Sequence, residues 1–205
     1  IQAAAVATLV LNALALWQQE ARRPVRGAQA PPHPASFGQA WSSYIAGDGA
    51  RRRLLAIGLG TMAFGMQDVL LEPYGGQVLG MGVGDTTWLT ATLAGGGLLG
   101  FSLASGILSR GFDPARLARV GALLGMPASA AVILPSTTLS VPLFVCGALF
   151  IGFGAGLFGH GTLTVTMNRA PKEQTGLALG AWGAVQATAA GAAVALGGVL
   201  RDIVG

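Results

Sequence analysis

The run Gly60-Thr61-Met62-Ala63-Phe64-Gly65-Met66-Gln67-Asp68-Val69-Leu70-Leu71-Glu72-Pro73-Tyr74-Gly75-Gly76 sets two carboxylates in an apolar stretch long enough to cross a bilayer. An ionised acid at the centre of a spanning helix costs roughly 2.5–3.5 kcal/mol on insertion scales. Asp68 and Glu72 stand four positions apart, so a helix puts them on one face, where like charges repel. Such a pair needs a task or a partner, and proton sharing or a cation on a neighbouring helix would supply one. Pro73 removes a backbone donor, and with Gly75 and Gly76 it is expected to kink or break the helix. Broken helices are one way to line a cavity at membrane depth.

Composition extends this reading to the whole chain. Its 205 residues are 52% hydrophobic and 10% charged, against about 25% charged in soluble domains. The 33 glycines sit among Leu, Ala, Val and Phe, the mixture that closely packed membrane helices use. A net charge of +4 would suit a nucleic-acid partner. The arginines instead fall between apolar segments, where they act as topology signals, and no nucleic-acid partner is expected. One cysteine, Cys146, excludes an internal disulfide or a cysteine-based zinc site. The chain opens inside an apolar run at Ile1 and lacks an initiator Met, so a piece of a longer protein is expected.

Six apolar segments approach the roughly 20 residues that span hydrocarbon: 1–17, 54–79, 87–108, 117–134, 141–167 and 175–200. The loops between them alternate. Arg22, Arg23, Arg26, Arg51, Arg52 and Arg53 fill the first; Asp85 stands in the second without a base. Arg110, Arg116 and Arg119 mark the third, the fourth is uncharged, and Arg169 and Lys172 mark the fifth. By the positive-inside rule the basic loops share the cytoplasmic side. The fold class is therefore all-α, a polytopic membrane bundle.

Three regions follow: the end of a helix at 1–17, a cytoplasmic loop at 18–53, and a helix bundle at 54–205. Residues 28–34 of the loop are proline-rich and irregular. Phe37, Trp41 and Tyr44 or Ile45 then recur at helical spacing, which fits either a short interfacial helix or a linker. Small residues four apart mark expected helix contacts. These are Gly96 and Gly100, Ser102 and Gly106, Gly152 and Gly156, Gly176 and Gly180, and Gly183, Ala187 and Gly191.

The segment Gly106-Ile107-Leu108-Ser109-Arg110-Gly111-Phe112-Asp113-Pro114-Ala115-Arg116-Leu117-Ala118-Arg119 resembles the short cytoplasmic loop of the major facilitator superfamily, with Asp-Pro where Asp-Arg is usual. That resemblance implies a conformational latch in which Asp113 pairs with Arg110, Arg116 or Arg119 across helix ends; an ordinary positive-inside turn is the alternative. It also sets the register. The chain would cover the end of span six through span eleven of a twelve-span fold, with the basic linker between the halves at 18–53.

The stretch Gly58 to Gly76 is more specific and resembles the signature of the PucC family, the bacteriochlorophyll-delivery branch of that superfamily. Gly152-Phe153-Gly154-Ala155-Gly156-Leu157-Phe158-Gly159-His160-Gly161-Thr162-Leu163-Thr164 and Gly176-Leu177-Ala178-Leu179-Gly180-Ala181-Trp182-Gly183-Ala184-Val185-Gln186-Ala187-Thr188 are similar to its later spans. The resemblance implies assembly of light-harvesting antennae in the inner membrane of a photosynthetic bacterium. Bacteriochlorophyll, antenna polypeptides and membrane lipid would be the partners.

A bacteriochlorophyll offers magnesium for one axial ligand, and magnesium prefers nitrogen or oxygen to sulfur. Within the spans the candidates are Gln67, Asp68, Glu72, His160 and Gln186. His160 reads either as an axial ligand, with Gly159 and Gly161 leaving room for a macrocycle, or as a polar contact between helices. Asp68 and Glu72 read as a proton or substrate site, as a pigment or partner site, or as a structural network. Trp182 either stacks on a ligand or packs in the core. No nucleophile with its base, no phosphate loop and no paired metal ligands stand out, so no enzyme activity is expected.

Overall fold

A computed structural model describes residues 36–47, 49–133 and 140–204, together with 6, 10, 11, 13 and 14; of the helical residues 68, 133 and 200–204 only the backbone is described. The chain divides into two compact units, 1–36 and 37–205. In the first, the described residues 6, 10, 11, 13 and 14 are helical. The expected segment 1–17, the arginines at 22, 23 and 26 and the irregular stretch 28–34 otherwise lie outside the described residues.

The second unit consists of α1 (Phe37–Ala46), α2 (Ala50–Gln77), α3 (Val83–Leu108), α4 (Pro114–Ile133), α5 (Val141–Arg169), a 3-10 turn (Lys172–Gln174) and α6 (Thr175–Val204). Helix α1 is packed into this unit. Tyr44, 6% exposed, is buried in one cluster with Ala50, Leu54, Ala178 and Ala181. Local signals fix the ends of the long helices. Asp85 accepts from the Gly82 N–H at 3.1 Å at the start of α3, and Asp113 accepts from the Ala115 N–H at 2.9 Å at the start of α4. Pro114 follows as a first helical residue, where its missing donor is harmless. Gly80 and Gly111, with φ of 65° and 84°, turn the chain between α2 and α3 and between α3 and α4.

Among the described residues, four helices are long and apolar enough to cross a membrane: α2, α3, α5 and the stretch Lys172–Val199. The fourth expected span, 117–134, coincides with helix α4 at Pro114–Ile133 as far as the described residues run. The apolar residues Leu55, Leu59, Leu98, Leu99, Leu123 and Met126 are more than half exposed, the surface of a bundle solvated by hydrocarbon.

Helix α5 is the hub. In its most apolar window 44% of the residues are buried, against 17–18% in the other three. Its glycines explain this. Gly152 and Gly156 lie directly on the α3 backbone at Leu93 and Gly97, and Gly96 and Gly100 of α3 lie on Leu149 and Phe153 in return. On another side of α5, a Cβ on Gly154 would stand 2.7 Å from the Gly121 carbonyl, and one on Gly161 would stand 2.9 Å from that of Pro114. Helix α2 packs mainly on α6, with Gly65 against Ala193. The other expected glycine rows do not meet a neighbour: Gly106, Gly176, Gly180, Gly183 and Gly191 face open space. Small size permits close approach but does not choose which side of a helix is approached.

Helix α2 also corrects the expected break. It runs through Pro73 to Gln77 as regular α-helix. Tertiary packing holds that turn: Tyr74 stacks on Phe144 with ring centroids 5.5 Å apart, and Leu71 joins Leu89 and Phe144 in a buried cluster.

Candidate functional site

Helices α2, α3, α5 and α6 line an open cavity of about 330 Å³. Its walls are mostly backbone and rings. Gly97 and Gly152 belong to the close α3–α5 crossing, and Phe64 tilts on Phe158 at 5.8 Å. The polar lining comes from Thr61 on α2 and Gln186 on α6. A volume near 300 Å³ is at the small end for ligand sites, which are mostly apolar with a few placed polar groups.

Threonines on a helix usually bond back to the preceding turn, as Thr162, Thr164 and Thr166 do here. Thr61 does not. Its Oγ1, Gln67 Oε1 and His160 Nδ1 are buried with no hydrogen-bond partner among the described residues. In hydrocarbon each unmet polar atom costs several kcal/mol. Thr61 therefore offers the cavity a hydroxyl that no described residue uses.

The residues expected from sequence do not form one cluster, and most of those described lie off the cavity. Gln186 lines it. His160 follows Gly159, which also lines it, so a turn of about 100° per residue carries the imidazole to the next side of α5. There His160 packs edge-on against Phe101 of α3, centroids 4.2 Å apart. Only one of its flanking glycines leaves room: Gly159 faces open space, whereas Gly161 is packed on Pro114 and Ala118. Trp182 donates its Nε1–H to Thr162 Oγ1 at 3.3 Å, a contact between α6 and α5.

Gln67 donates to Ser129 Oγ and joins α2 to α4. Glu72 accepts from the Thr90 hydroxyl of α3. It is exposed and sits in the last two turns of α2, nearer the end of the helix than its middle. It does not line the cavity. Asp68 lies on α2, and its side chain is outside the described residues. Asp113 meets Arg116 at 3.7 Å, both exposed and three residues apart on one chain segment. A pair of that kind contributes about 0–1 kcal/mol at a surface. The structure gives Asp113 a helix-capping bond and this local pair.

Sequence reasoning missed Thr61, Phe64, Phe158, Ser129 and Thr90. A threonine or phenylalanine inside an apolar span carries no signal of its own, since only the facing helix tells which ones meet.

The family model described as "PUCC protein" matches residues 1–205. Over 207 residues the chain is 59% identical to "Protein PucC" of Rhodovulum sulfidophilum, covering 100% of this chain and 45% of the relative. It is 56% identical over 203 residues to "Protein PucC" of Cereibacter sphaeroides, covering 99% of this chain and 44% of the relative. A more distant relative is the "Bacteriochlorophyll synthase 44.5 kDa chain" of Rhodobacter capsulatus, 29% identical over 95% of this chain and 46% of that protein. The chain thus spans less than half the length of these curated relatives. No solved structure matches it.

Proposed function

The chain belongs to the PucC family, and from that membership we propose that it is part of a membrane factor that assembles light-harvesting antennae by handling bacteriochlorophyll. In this reading it resides in the inner membrane of a photosynthetic bacterium and forms the end of span six through span eleven of a major facilitator fold. Four membrane-capable helices among the described residues support the membrane part. So does the sharing of one end of the bundle by Arg53 and Arg169. Antenna polypeptides and lipid are the proposed partners.

One observation carries the pigment assignment. Of the buried polar atoms that have no partner among the described residues, Thr61 Oγ1 is in the cavity wall, and His160 Nδ1 belongs to the residue next to the cavity-lining Gly159 in the chain. The donor set fits the pigment's chemistry: magnesium takes an axial nitrogen, and a neutral imidazole supplies one. His160 would hold the metal, beside the open side of Gly159. The cavity, too small for a tetrapyrrole with its tail, would take an apolar portion, with Thr61 and Gln186 meeting a carbonyl or ester. Phe64 and Phe158 would keep water out. Gln67 and Trp182 act in this reading as helix-to-helix contacts that hold the walls; Asp68 and Glu72 remain proposed for partner binding.

A proton-coupled solute carrier is the competing assignment. Glu72 is occupied by Thr90 and stands away from the cavity, which disfavours it. Absorption spectroscopy of the gently purified intact protein decides between these. Co-purifying bacteriochlorophyll that is lost on His160→Ala supports the proposal. A colourless protein whose deletion still abolishes antenna assembly overturns pigment handling and favours a chaperone; substrate-dependent flux in vesicles favours a carrier.

A further inference from the structure

A second cavity, of about 340 Å³, lies at the basic end of the bundle, where α1 meets the start of α2 and the end of α5. Two arginines from different helices line it. Arg53 comes from the first turn of α2, and Arg169 is the last residue of α5. The first turn of α2 holds three consecutive arginines and no acid. The start of a helix is itself positively polarised, so this end attracts anions. Glu173 belongs to the neighbouring 3-10 turn but does not line the cavity.

The remaining walls are organised. Gln174 donates to Ser43 Oγ at 3.0 Å, and Ser43 donates to the Ala40 carbonyl at 2.9 Å, which ties α1 to the turn before α6. Tyr44 stands at the cavity wall with its ring in the apolar cluster of Leu54, Ala178 and Ala181 beneath. Helix α1 shows exposed Phe37, stacked on Trp41 at 6.3 Å. Aromatic residues of this kind settle at the headgroup level of a bilayer. The result is a cationic rim over an apolar floor at the level where spanning helices leave the hydrocarbon.

We propose that this pocket binds the phosphate of an anionic phospholipid, with Arg53 and Arg169 as its cationic contacts. Arginine forks match phosphate oxygens with two parallel hydrogen bonds. Basic pockets between helices are a known way to hold such headgroups. Bound there, the lipid would brace α1 against α2 and α5. The inference is independent of whether the protein carries pigment.

The test titrates the intact protein in neutral detergent with short-chain phosphatidylglycerol and follows thermal stability and lipid adducts in native mass spectrometry. Saturable binding is expected, at least about tenfold weaker in the Arg53→Gln/Arg169→Gln variant, the effect of losing one charge-assisted contact or more. Arg169→Lys keeps the charge without the fork and should fall between. Arg52→Gln, one position outside the pocket, should change affinity by less than about twofold if contact rather than general charge matters. Phosphatidylcholine should bind at least about tenfold more weakly. Unchanged binding in the double variant, or equal loss with Arg52→Gln, overturns the site. Glycerol phosphate or inorganic phosphate binding as tightly as the lipid overturns the lipid as occupant. Should the double variant fail to fold, Arg169→Lys and Gln174→Ala decide, since both leave the apolar cluster intact; no loss in either overturns the proposal.

Discussion

Gly152 of α5 rests directly on the carbonyl of Leu93 of α3, leaving no space for a side chain. The contact is reciprocated by Gly96 against Leu149, so the two backbones touch over a full turn. In lipid, where apolar surface gains little by leaving the solvent, close backbone packing is a main source of helix association.

Gly152→Leu should therefore separate α3 from α5. Overpacking of this kind costs about 1–3 kcal/mol, and more where backbone must move. Gly180→Leu, on a side of α6 with nothing within 4 Å, should be nearly neutral for the isolated bundle. Thermal denaturation in detergent compares the two; equal losses would contradict the packing.

Thr61→Val keeps the shape of the side chain and removes a buried hydroxyl that has no partner among the described residues. The fold should gain about 1 kcal/mol or stay level, because an unmet polar group is removed. Ligand retention should fall in the same variant. A clear loss of thermal stability would show that Thr61 is a structural contact instead.

Trp182→Phe deletes the bond to Thr162 while keeping most of the ring's area. A loss of about 0.5–1.5 kcal/mol is expected, near the low end for a bond within a membrane. Fluorescence-detected unfolding followed through the other tryptophans measures it. No change would mean that the indole is held by packing alone.

Glu72→Gln retains an acceptor for Thr90 and should lower stability by less than about 1 kcal/mol. Glu72→Leu leaves Thr90 with the Thr86 carbonyl, to which it also donates at 3.3 Å, and should likewise fold. If either variant fails to insert in membranes, the acid serves a larger network than the pair with Thr90.

Topology is open to direct measurement. With Cys146 replaced, single cysteines at Arg52 and Arg116 should react with an impermeant thiol reagent from the same side of sealed vesicles. Labelling from opposite sides would overturn the alternation of the spans.

Much of the architecture was legible in the chain itself. Runs of Leu, Ala, Val and Gly gave the long helices α2, α3, α5 and α6 to within a few residues at most ends, and arginines marked the ends that share the second pocket. Hydropathy and charge are local properties, and a bilayer sorts segments by them one at a time. One local expectation was overruled: Pro73 lacks a backbone donor, yet α2 continues through it to Gln77, with Tyr74 stacked on Phe144.

The tertiary structure alone decided which polar atoms meet and which do not. Gln67 finds Ser129 across 62 positions, Trp182 finds Thr162, and Thr61 finds no partner among the described residues. Nor could spacing tell that Gly96 and Gly152 touch a neighbour while Gly180 and Gly191 face open space. The physical reason is rotational. A helix that is apolar around its whole circumference carries no amphipathic stripe to say which way it turns. Side-to-side complementarity fixes that angle only once the helices pack together.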